Sequence, residues 1–477
     1  MPRLPYRCDD SVICEGLHAV RSELEVPEDF PADVLREAEA SAAAGPQIPE
    51  GSAGSTVADR TDLELVTIDP PDSMDLDQAL HISPLGDGFR VFYAISDVAA
   101  WVTPGGAVDE ESKRRGFTMY SPDTRAALHP TAISESAASL LPDVDRQSLL
   151  WTIDLDNEGR IIAKNLERAI VRSRAKLSYH DADALVDEGD PMLNALATVG
   201  KLREQLEVER GAVSLRLASQ EVVRAGAGFE LEYGESLPIE GWNAQISLLT
   251  GIAGASIMID AKTGILRTLP PPQKRTIDEL RSTARALGIS WPDDVTYPDM
   301  VRGLNPNDPM DAAMIAQSAR GLRGAGYEAF DGELPKLTEH SAISAQYAHV
   351  TAPLRRLGDR YANEAILSGL AGVRPPEWVL NTLPELPRLL GQARNREGSL
   401  DRAILDMVEA ALLSGRVGET FHGLVTAVDE DKDRVRVQLV DPAVVAYAQG
   451  DSSLGTEVLV RLTDADVRAR KVNFELV

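Results

Sequence analysis

The order of strand-like and helix-like segments is the feature that most limits how this 477-residue chain can fold. Four runs rich in β-branched and aromatic residues lie between positions 63 and 155: LELVTID, ALHIS, FRVFYAIS and LLWTIDL. Such runs are typical of strands, whereas apolar spacing after Tyr179 favours helices. From Gly418 the pattern returns to short strands. This order predicts an α+β fold, with a sheet core and surrounding helices followed by a smaller β unit.

Turn residues and apolar spacing give the individual elements. One hairpin is predicted around the glycine-containing turn at 86–88, and a second pairs LLWTIDL with the stretch 161–176 across residues 157–159. A strand-like interval is expected near 219–234. Helices are predicted at 11–24, 29–44, 179–187, 191–209, 243–260, 276–287, 309–320, 353–370, 375–395 and 399–414.

The C-terminal 60 or so residues contain five alternating strand-like runs. This pattern suits a small OB-type barrel, a fold that often binds single-stranded nucleic acid. We therefore divide the chain into a helical N-terminal region and linker at 1–60, a main α+β domain at 61–414, and a barrel at 415–477.

Charge and hydropathy narrow the possible functions. The net charge of −27 argues against a protein that binds nucleic acid over its whole surface, but not against a local basic channel. Such a channel is suggested by residues 161–176, which carry five positive charges and one negative charge. The apolar stretch 246–259 has 14 residues, too few to span a bilayer, and predicts a buried helix. We expect a cytoplasmic protein without membrane association.

The loop TIDPPDSMDLDQAL places four aspartates within nine positions, Asp69, Asp72, Asp75 and Asp77, directly after a predicted strand. Asp75 and Asp77 are two residues apart, so in an extended loop their carboxylates point the same way. Hard divalent cations such as Mg²⁺ prefer such oxygen ligands. The spacing of a calcium-binding EF-hand loop is absent. The acids alone leave two alternatives, a metal site and a solvated surface turn.

Five motifs that follow one another along the chain favour the metal site over the surface turn. TIDPPDSMDLDQA, YAISDVAAWVTPGGAVDEESKRRGFTMYSPD, AASLLPDVDR, IVRSRAKLSYHDA and YAHVTAPLRRLGD follow one another over about 300 residues. In this order they resemble the signatures of the ribonuclease II/ribonuclease R (RNB) family of 3′-to-5′ exoribonucleases, which also carries an OB-fold barrel at its C-terminus. The resemblance identifies 61–414 as an RNB-type catalytic domain.

The resemblance implies a hydrolytic exoribonuclease that uses Mg²⁺, or alternatively Mn²⁺, in a two-metal-ion mechanism. Such an enzyme degrades single-stranded RNA to 5′-mononucleotides without sequence preference, and no obligate protein partner is evident. Matched motif by motif, the implied catalytic residues are Asp75, Asp77 and Arg355, and the implied metal ligands are Asp69, Asp75, Asp77 and Gln78. The expected RNA-binding residues are Tyr120, Tyr347, Arg355, Arg356, Arg172 and Lys176. Of the two adjacent arginines, Arg356 is the one expected to be structural.

Gln78 and the N-terminal region depart from the family pattern. Gln78 stands where the family has a fourth acid, and its neutral amide predicts weaker binding of one of the two metal ions. Residues 1–60 are too short for the tandem cold-shock-type barrels usual in the family, so a more open RNA entrance is expected. A catalytically impaired RNA-binding protein with the same fold is the main alternative function, and a phosphohydrolase acting on small substrates is a third.

Overall fold

The computed structural model of the chain describes residues 11–215, 220–225, 228–233, 237–306, 308–429 and 432–477. The helices are α1 Ser11–Glu23, α2 Ala32–Ala44, α3 Ala107–Arg115, α4 Tyr179–Asp187, α5 Pro191–Glu209, α6 Pro238–Ala261, α7 Lys274–Ala286, α8 Tyr297–Arg302, α9 Pro309–Ser318, α10 Leu357–Ala371, α11 Glu377–Thr382 and α12 Leu386–Leu413. The strands are β1 Ala58–Asp59, β2 Leu65–Ile68, β3 Gln78–Leu85, β4 Gly88–Ser96, β5 Met119–Tyr120, β6 Arg125–Ala126, β7 Asp145–Leu155, β8 Ile161–Leu177, β9 Gln220–Ala225, β10 Gly228–Tyr233, β11 Thr263–Thr268, β12 Gly326–Asp331, β13 Glu339–His340, β14 Ala345–Gln346, β15 Thr420–Asp429, β16 Arg434–Leu439, β17 Val445–Gln449, β18 Glu457–Asp466 and β19 Lys471–Leu476.

The main sheet has the order β1-β8-β2-β3-β4-β7. Because β7 also pairs with β8, strands β8, β2, β3, β4 and β7 form a closed ring, with β1 paired at its edge. Both predicted hairpins are present as antiparallel pairs, β3 with β4 and β7 with β8. In contrast, β2 and β8 are parallel, which brings the end of β2 beside the end of β8 at Ile68 and Leu177. The acidic loop begins at this edge of the sheet.

Helices α6 and α10 cover the sheet and share its largest hydrophobic core with the fully buried Trp151. The two helices approach closely at Gly254 of α6, where an added Cβ would lie 2.9 Å from the terminal methyl group of Ile366 of α10. Among the described helices, α6 alone is long and apolar enough to span a membrane by composition, but 56% of its most apolar window is buried inside the protein. Its apolar residues are those of a core helix, as predicted for 246–259.

The C-terminal strands form a closed barrel in the order β15-β16-β17-β19-β18, which confirms the predicted barrel. Its core residues, including Val425 and Phe474, continue into a cluster with Leu17 of α1 and Met407 of α12. The α+β fold with a helical N-terminal region is therefore confirmed. Because α1 packs against α12 and the barrel, the first helix is part of the same packed body.

The helical region differs from the sequence-based prediction in several places. The helices expected at 375–395 and 399–414 are instead the short α11 and the 28-residue α12, which continues through Gly398. Leu390, Leu400 and Ile404 are buried on α12, and this packing compensates for the low helix propensity of the glycine. The pair β11 and β12 was not expected. Part of the interval 219–234 lies outside the described residues.

Arg168 connects the sheet, α10 and the segment before β1. Its Nε donates to Asp97 Oδ2 at 3.0 Å, its Nη2 pairs with Glu364, and its Nη1 donates to the carbonyl of Ala53. All three charged side chains are fully buried. Removing one partner from such a network leaves uncompensated buried charge.

We expect Arg168→Met to lower the free energy of unfolding by about 3–5 kcal/mol. The matched control is Arg90→Met, which breaks a more exposed pair with Asp154 (Nε to Oδ1, 2.6 Å; Arg90 side chain 38% exposed) and should cost at most about 1 kcal/mol. Equilibrium denaturation in urea measures both values. Equal losses in the two variants would show that Arg168 does not have this connecting role.

Candidate active site

A cavity of about 600 Å³ lies at the edge of the sheet where β2 ends. It is lined by seven of the residues singled out in the sequence, Asp69, Asp75, Asp77, Gln78, Tyr120, Tyr347 and Arg355. These residues come from motifs almost 300 positions apart, and the fold brings them to one place. The cavity is therefore the candidate active site.

The conformation of the acidic loop follows from its alternating sequence. Leu76 is fully buried, whereas Asp75 and Asp77 on either side of it line the cavity. Ser139 fixes the loop from behind, because its hydroxyl accepts a hydrogen bond from the Leu76 amide at 3.0 Å and donates one to the Met74 carbonyl at 2.6 Å. One apolar residue thus anchors the loop while its two acidic neighbours point into the site.

Lys176, which was predicted to bind RNA, holds the same loop in this structure. Its Nζ donates to the carbonyls of Pro71 and, at 2.7 Å, Ser73. Lys176 is also close enough to Asp69 to lower the pKa of that carboxyl, against the larger effect of burial. Its contacts therefore assign it a positioning role at the cavity rim.

Asp77 is the most deeply buried of the acids, with 2% of its surface exposed. Its Oδ1 accepts a hydrogen bond from the Leu354 amide at 2.7 Å, and its Oδ2 lies 3.5 Å from Arg355 Nε. Burial raises the pKa of Asp77 well above its usual value, and Arg355 and the Leu354 amide only partly oppose this effect. A positive charge close to Asp77 would therefore strongly stabilise its ionised form.

Asp69 is a second buried acid that a nearby positive charge would stabilise. Its Oδ2 is buried and has no hydrogen-bond partner in the part of the chain that the structure describes. Burial, with the nearby Asp75 adding to it, raises the pKa of Asp69 to about 6, while Arg355 and Lys176 act in the opposite direction. Buried polar atoms are nearly always satisfied in folded proteins, so the unsatisfied oxygen indicates a position where a cation can bind.

Asp75 already contacts a cation of the protein. Arg125 of β6 donates from Nη1 to Asp75 Oδ1 at 2.8 Å and from Nη2 pairs with Glu135. Both Arg125 and Asp75 are largely shielded from solvent. Sequence reasoning missed Arg125, which lies two residues beyond the end of the motif that contains Tyr120.

Gln78 is held by its amide nitrogen, which donates to the carbonyl of Thr351 at 2.5 Å. A carboxylate cannot make this bond, because it has no donor when ionised. The bond leaves the side-chain oxygen of Gln78 as its remaining polar atom at the cavity. A neutral oxygen is thus the most that this position offers to a cation.

The two adjacent arginines have separate roles. Arg355 is 47% exposed at the cavity, next to Asp77, and can reach a ligand there. Arg356 is instead tied to Asp359, with Nη2 to Oδ2 at 2.7 Å, and Asp359 in turn accepts from the Ala352 amide at 2.8 Å. Arg356 therefore stabilises the loop that presents Arg355.

Two tyrosines stand on the cavity wall. Tyr120, at the end of β5, is partly exposed, as a ring that stacks on a base needs to be. Tyr347 is buried and packs edge-on against His349, with ring centroids 5.6 Å apart. A side chain at Gly251 of α6 would collide with the Tyr347 ring, so α6 fixes the position of that ring.

Arg172 is not part of the cavity. It pairs with Asp145 on the neighbouring strand, Nε to Oδ1 at 2.7 Å, and its exposed side chain does not line the cavity.

The cavity wall also contains residues that sequence reasoning missed. They are Tyr93, Tyr179, Glu240, Asn243 and Ser247. Tyr179 lies within the IVRSRAKLSYHDA motif, which was the available sequence signal for it, whereas the residues of α6 belong to no motif.

The donor atoms suit a hard divalent cation such as Mg²⁺, since Asp69, Asp75, Asp77 and the Gln78 carbonyl all offer oxygen. Among the described residues, however, no group of three or more His, Cys, Asp or Glu side chains is arranged so that it could hold a metal ion. Arg125 and Arg355 stand beside two of the acids. The predicted ligand set therefore shares one cavity and remains a prediction.

Comparison with known families covers most of the chain. The RNB domain model matches residues 57–372, and the model of the RNase II-type exonuclease C-terminal S1 domain matches residues 419–477. The first match contains the whole cavity described above. The second coincides with the closed barrel.

Individual relatives agree with this assignment. Ribonuclease R of Escherichia coli is 25% identical over an alignment that covers 90% of this chain and 58% of that protein. This chain thus spans about three fifths of the length of such relatives. The structure of Mycoplasma genitalium RNase R with ribose-methylated single-stranded RNA has a TM-score of 0.86 at 20% identity, covering 98% of this chain and 78% of that one. Yeast Ssd1, a pseudonuclease, has a TM-score of 0.72 at 15% identity, covering 96% and 59%.

The raised pKa of Asp69 leads to a prediction about stability in the absence of divalent metal. Because the folded state holds this proton more tightly than the unfolded state, the group's contribution to stability decreases as pH rises from about 4 to about 6. Asp69→Asn removes the charge, so it should stabilise the metal-free protein at pH 7.5 by on the order of 2 kcal/mol, with little gain at pH 4.

Asp72→Asn is the matched control, because Asp72 lies in the same loop but is exposed. It should leave stability unchanged at both pH values. Urea denaturation in the presence of a chelator at pH 4 and pH 7.5 measures the difference. An Asp69→Asn variant no more stable than the wild type at pH 7.5 would contradict the prediction.

Proposed function

Since this chain belongs to the RNB domain family, we propose that it is a divalent-metal-dependent hydrolytic exoribonuclease that degrades single-stranded RNA from the 3′ end. The observation that carries the proposal is the cavity in which unsatisfied acid oxygen, the exposed guanidinium of Arg355 and the ring of Tyr120 meet. A cation bound by the acids and the guanidinium of Arg355 can both contact the phosphate at an RNA end, and the ring of Tyr120 can stack on its base.

The reaction proposed is addition of water across a terminal phosphodiester bond. A new P–O bond forms to the water oxygen, the P–O3′ bond breaks, and the proton from water passes to the leaving 3′ oxygen. The products are a 5′-mononucleotide and an RNA shortened by one residue with a free 3′ hydroxyl. No oxidant or second substrate is required.

Arg355 is suited to contact the phosphate. Its backbone is fixed, since its carbonyl accepts a hydrogen bond from the Thr118 amide at 3.0 Å, while its side chain remains exposed. A guanidinium beside a phosphate stabilises the negative charge that grows in the transition state. The Thr118 contact also joins the arginine loop to the segment that carries Tyr120.

Tyr120 would hold the base of the 3′-terminal nucleotide. Stacking on an aromatic ring is tolerant of base identity, which a general RNA-degrading enzyme requires. Asp69, Asp75, Asp77 and Gln78 would hold Mg²⁺ or Mn²⁺. When bound, such an ion supplies Lewis-acid stabilisation of phosphate oxygens and lowers the pKa of water.

A catalytically impaired RNA-binding protein is the second candidate. Gln78 removes one negative charge from the site, and Arg125 already neutralises Asp75. The similarity in fold to a pseudonuclease shows that this architecture also occurs without nuclease activity. Against this candidate, Asp69, Asp77, Tyr120 and Arg355 are all present on one cavity.

The deciding experiment uses purified protein and 5′-end-labelled single-stranded RNA, with Mg²⁺, with Mn²⁺ and with chelator. We expect a ladder that shortens from the 3′ end only when metal is present. Asp77→Asn should abolish the ladder and keep RNA affinity within about threefold, whereas Asp72→Asn should behave as wild type. A stable complex without cleavage under every metal condition would instead support the RNA-binding candidate.

Tyr120 provides a separate prediction about affinity. Tyr120→Ala should weaken binding of a short single-stranded RNA by about 1–3 kcal/mol, because it removes one stacking surface. Tyr120→Phe keeps the ring and should bind within about twofold of wild type. Fluorescence anisotropy in chelator measures both constants. Equal affinity of the alanine variant and the wild type would exclude Tyr120 as a stacking residue.

A further inference from the structure

Arg125 occupies an unusual place in the candidate site. Its two terminal nitrogens pair with different carboxylates, Nη1 with Asp75 at 2.8 Å and Nη2 with Glu135. The side chains of Arg125, Asp75 and Glu135 are 18%, 9% and 26% exposed. Partial burial lowers the effective dielectric constant, so this bridge is stronger than an ordinary surface pair.

The backbone that carries Arg125 is fixed from several directions. Tyr120 and Arg125 are paired across the two short strands β5 and β6. The turn between them is closed by the Ser121 amide, which donates to the Thr124 carbonyl at 2.8 Å. Arg21 of α1 binds the same turn, because its Nη1 donates to Asp123 Oδ1 at 2.7 Å and its Nη2 to Asp123 Oδ2 at 3.0 Å. The guanidinium is therefore held where it is and is not a loosely placed surface group.

Resting on the proposed function above, we propose that Arg125 is a built-in cation of this site, taking the place on Asp75 that a second divalent ion would otherwise need, so that the chain binds one metal ion and not two. Asp69 and Asp77 remain as the acids whose charge an external ion must balance. Arg125 is thus a positioning residue that sets the metal content of the site.

The balance of charge around the cavity agrees with one ion. The carboxylates there are Asp69, Asp75, Asp77, Glu135 and Glu240, and the cationic side chains are Arg125, Arg355 and Lys176. With all of them ionised, these described residues leave a net charge of −2. A single divalent ion neutralises that charge, whereas a second ion would bring two further positive charges that no carboxylate of this set balances.

Gln78 supports the same conclusion independently. A second ion would lose one anionic ligand at this position, and the amide of Gln78 is engaged with Thr351. Arg125 and Gln78 thus both reduce the negative charge available to a second metal ion. Arg125 neutralises Asp75, and Gln78 is neutral where a carboxylate would be charged. The two residues lie on different strands, Gln78 on β3 and Arg125 on β6.

The test counts metal ions without using RNA hydrolysis. Equilibrium dialysis of the full chain against Mn²⁺ should give one ion per chain for the wild type, and also for Arg125→Lys, which keeps the charge. Gln78→Asp alone should still give one ion, because Arg125 still holds Asp75. The double variant Arg125→Gln/Gln78→Asp should bind a second ion at least tenfold more tightly than the wild type does.

Arg90→Gln is the matched control, since it breaks an arginine–aspartate pair outside the cavity and should leave the count at one. Two ions in the wild type with affinities within tenfold of each other would overturn the proposal, as would a double variant that folds and binds no second ion. If the double variant does not fold, as judged by circular dichroism, the wild type and Gln78→Asp decide, and two ions in either overturns it.

The result is distinct from that of the RNA assay. One bound Mn²⁺ in a protein that does not cleave RNA would overturn the proposed function and leave this inference intact. RNA cleavage by a protein that binds two ions would do the reverse.

Discussion

The hydrogen bond from the Leu354 amide to Asp77 Oδ1 joins two segments that are 277 positions apart, and the geometry of the candidate site depends on it. On one side it fixes the acid that is most deeply buried. On the other it places Arg355, the next residue, beside that acid. Asp359 supports the same loop by accepting from the Ala352 amide and holding Arg356. Backbone amides thus position the exposed arginine, and its side chain remains available for a ligand.

This arrangement works against stability. Asp69 and Asp77 are buried with raised pKa values, and burying unpaired charge is costly for the folded state. The surrounding cations offset only part of that cost: Lys176 at the loop, Arg355 beside Asp77 and Arg125 on Asp75. Acids whose charge the surrounding cations balance only in part can accept an external cation, and the large hydrophobic core beneath the site contributes the stability that offsets their burial.

The sequence was sufficient for the fold and for most of the cavity because its motifs are local. The acidic loop, the Tyr120 segment and the arginine loop each keep a recognisable order of residues, and all three line the cavity. What sequence could not provide depends on long-range packing. The pairing of Arg125 with Asp75 arises across 50 positions, and the wall formed by α6 follows from how that helix crosses the sheet. The side-chain contacts of Arg172 were out of reach for the same reason: its strand position was clear, but its pairing with Asp145 away from the cavity was not, and its binding of RNA stays a prediction.

The N-terminal helix shows how a short segment can influence the site from a distance. Arg21 is 5% exposed and links α1 to Asp123 in the turn between Tyr120 and Arg125. One turn earlier on the same side of α1, Leu17 packs into the cluster formed with α12 and the barrel core. A continuous series of contacts therefore runs from the C-terminal barrel through α1 to the turn between Tyr120 and Arg125. Because the ion pair between Arg21 and Asp123 is largely buried, it couples the position of that loop to the packing of the barrel more firmly than a surface contact could.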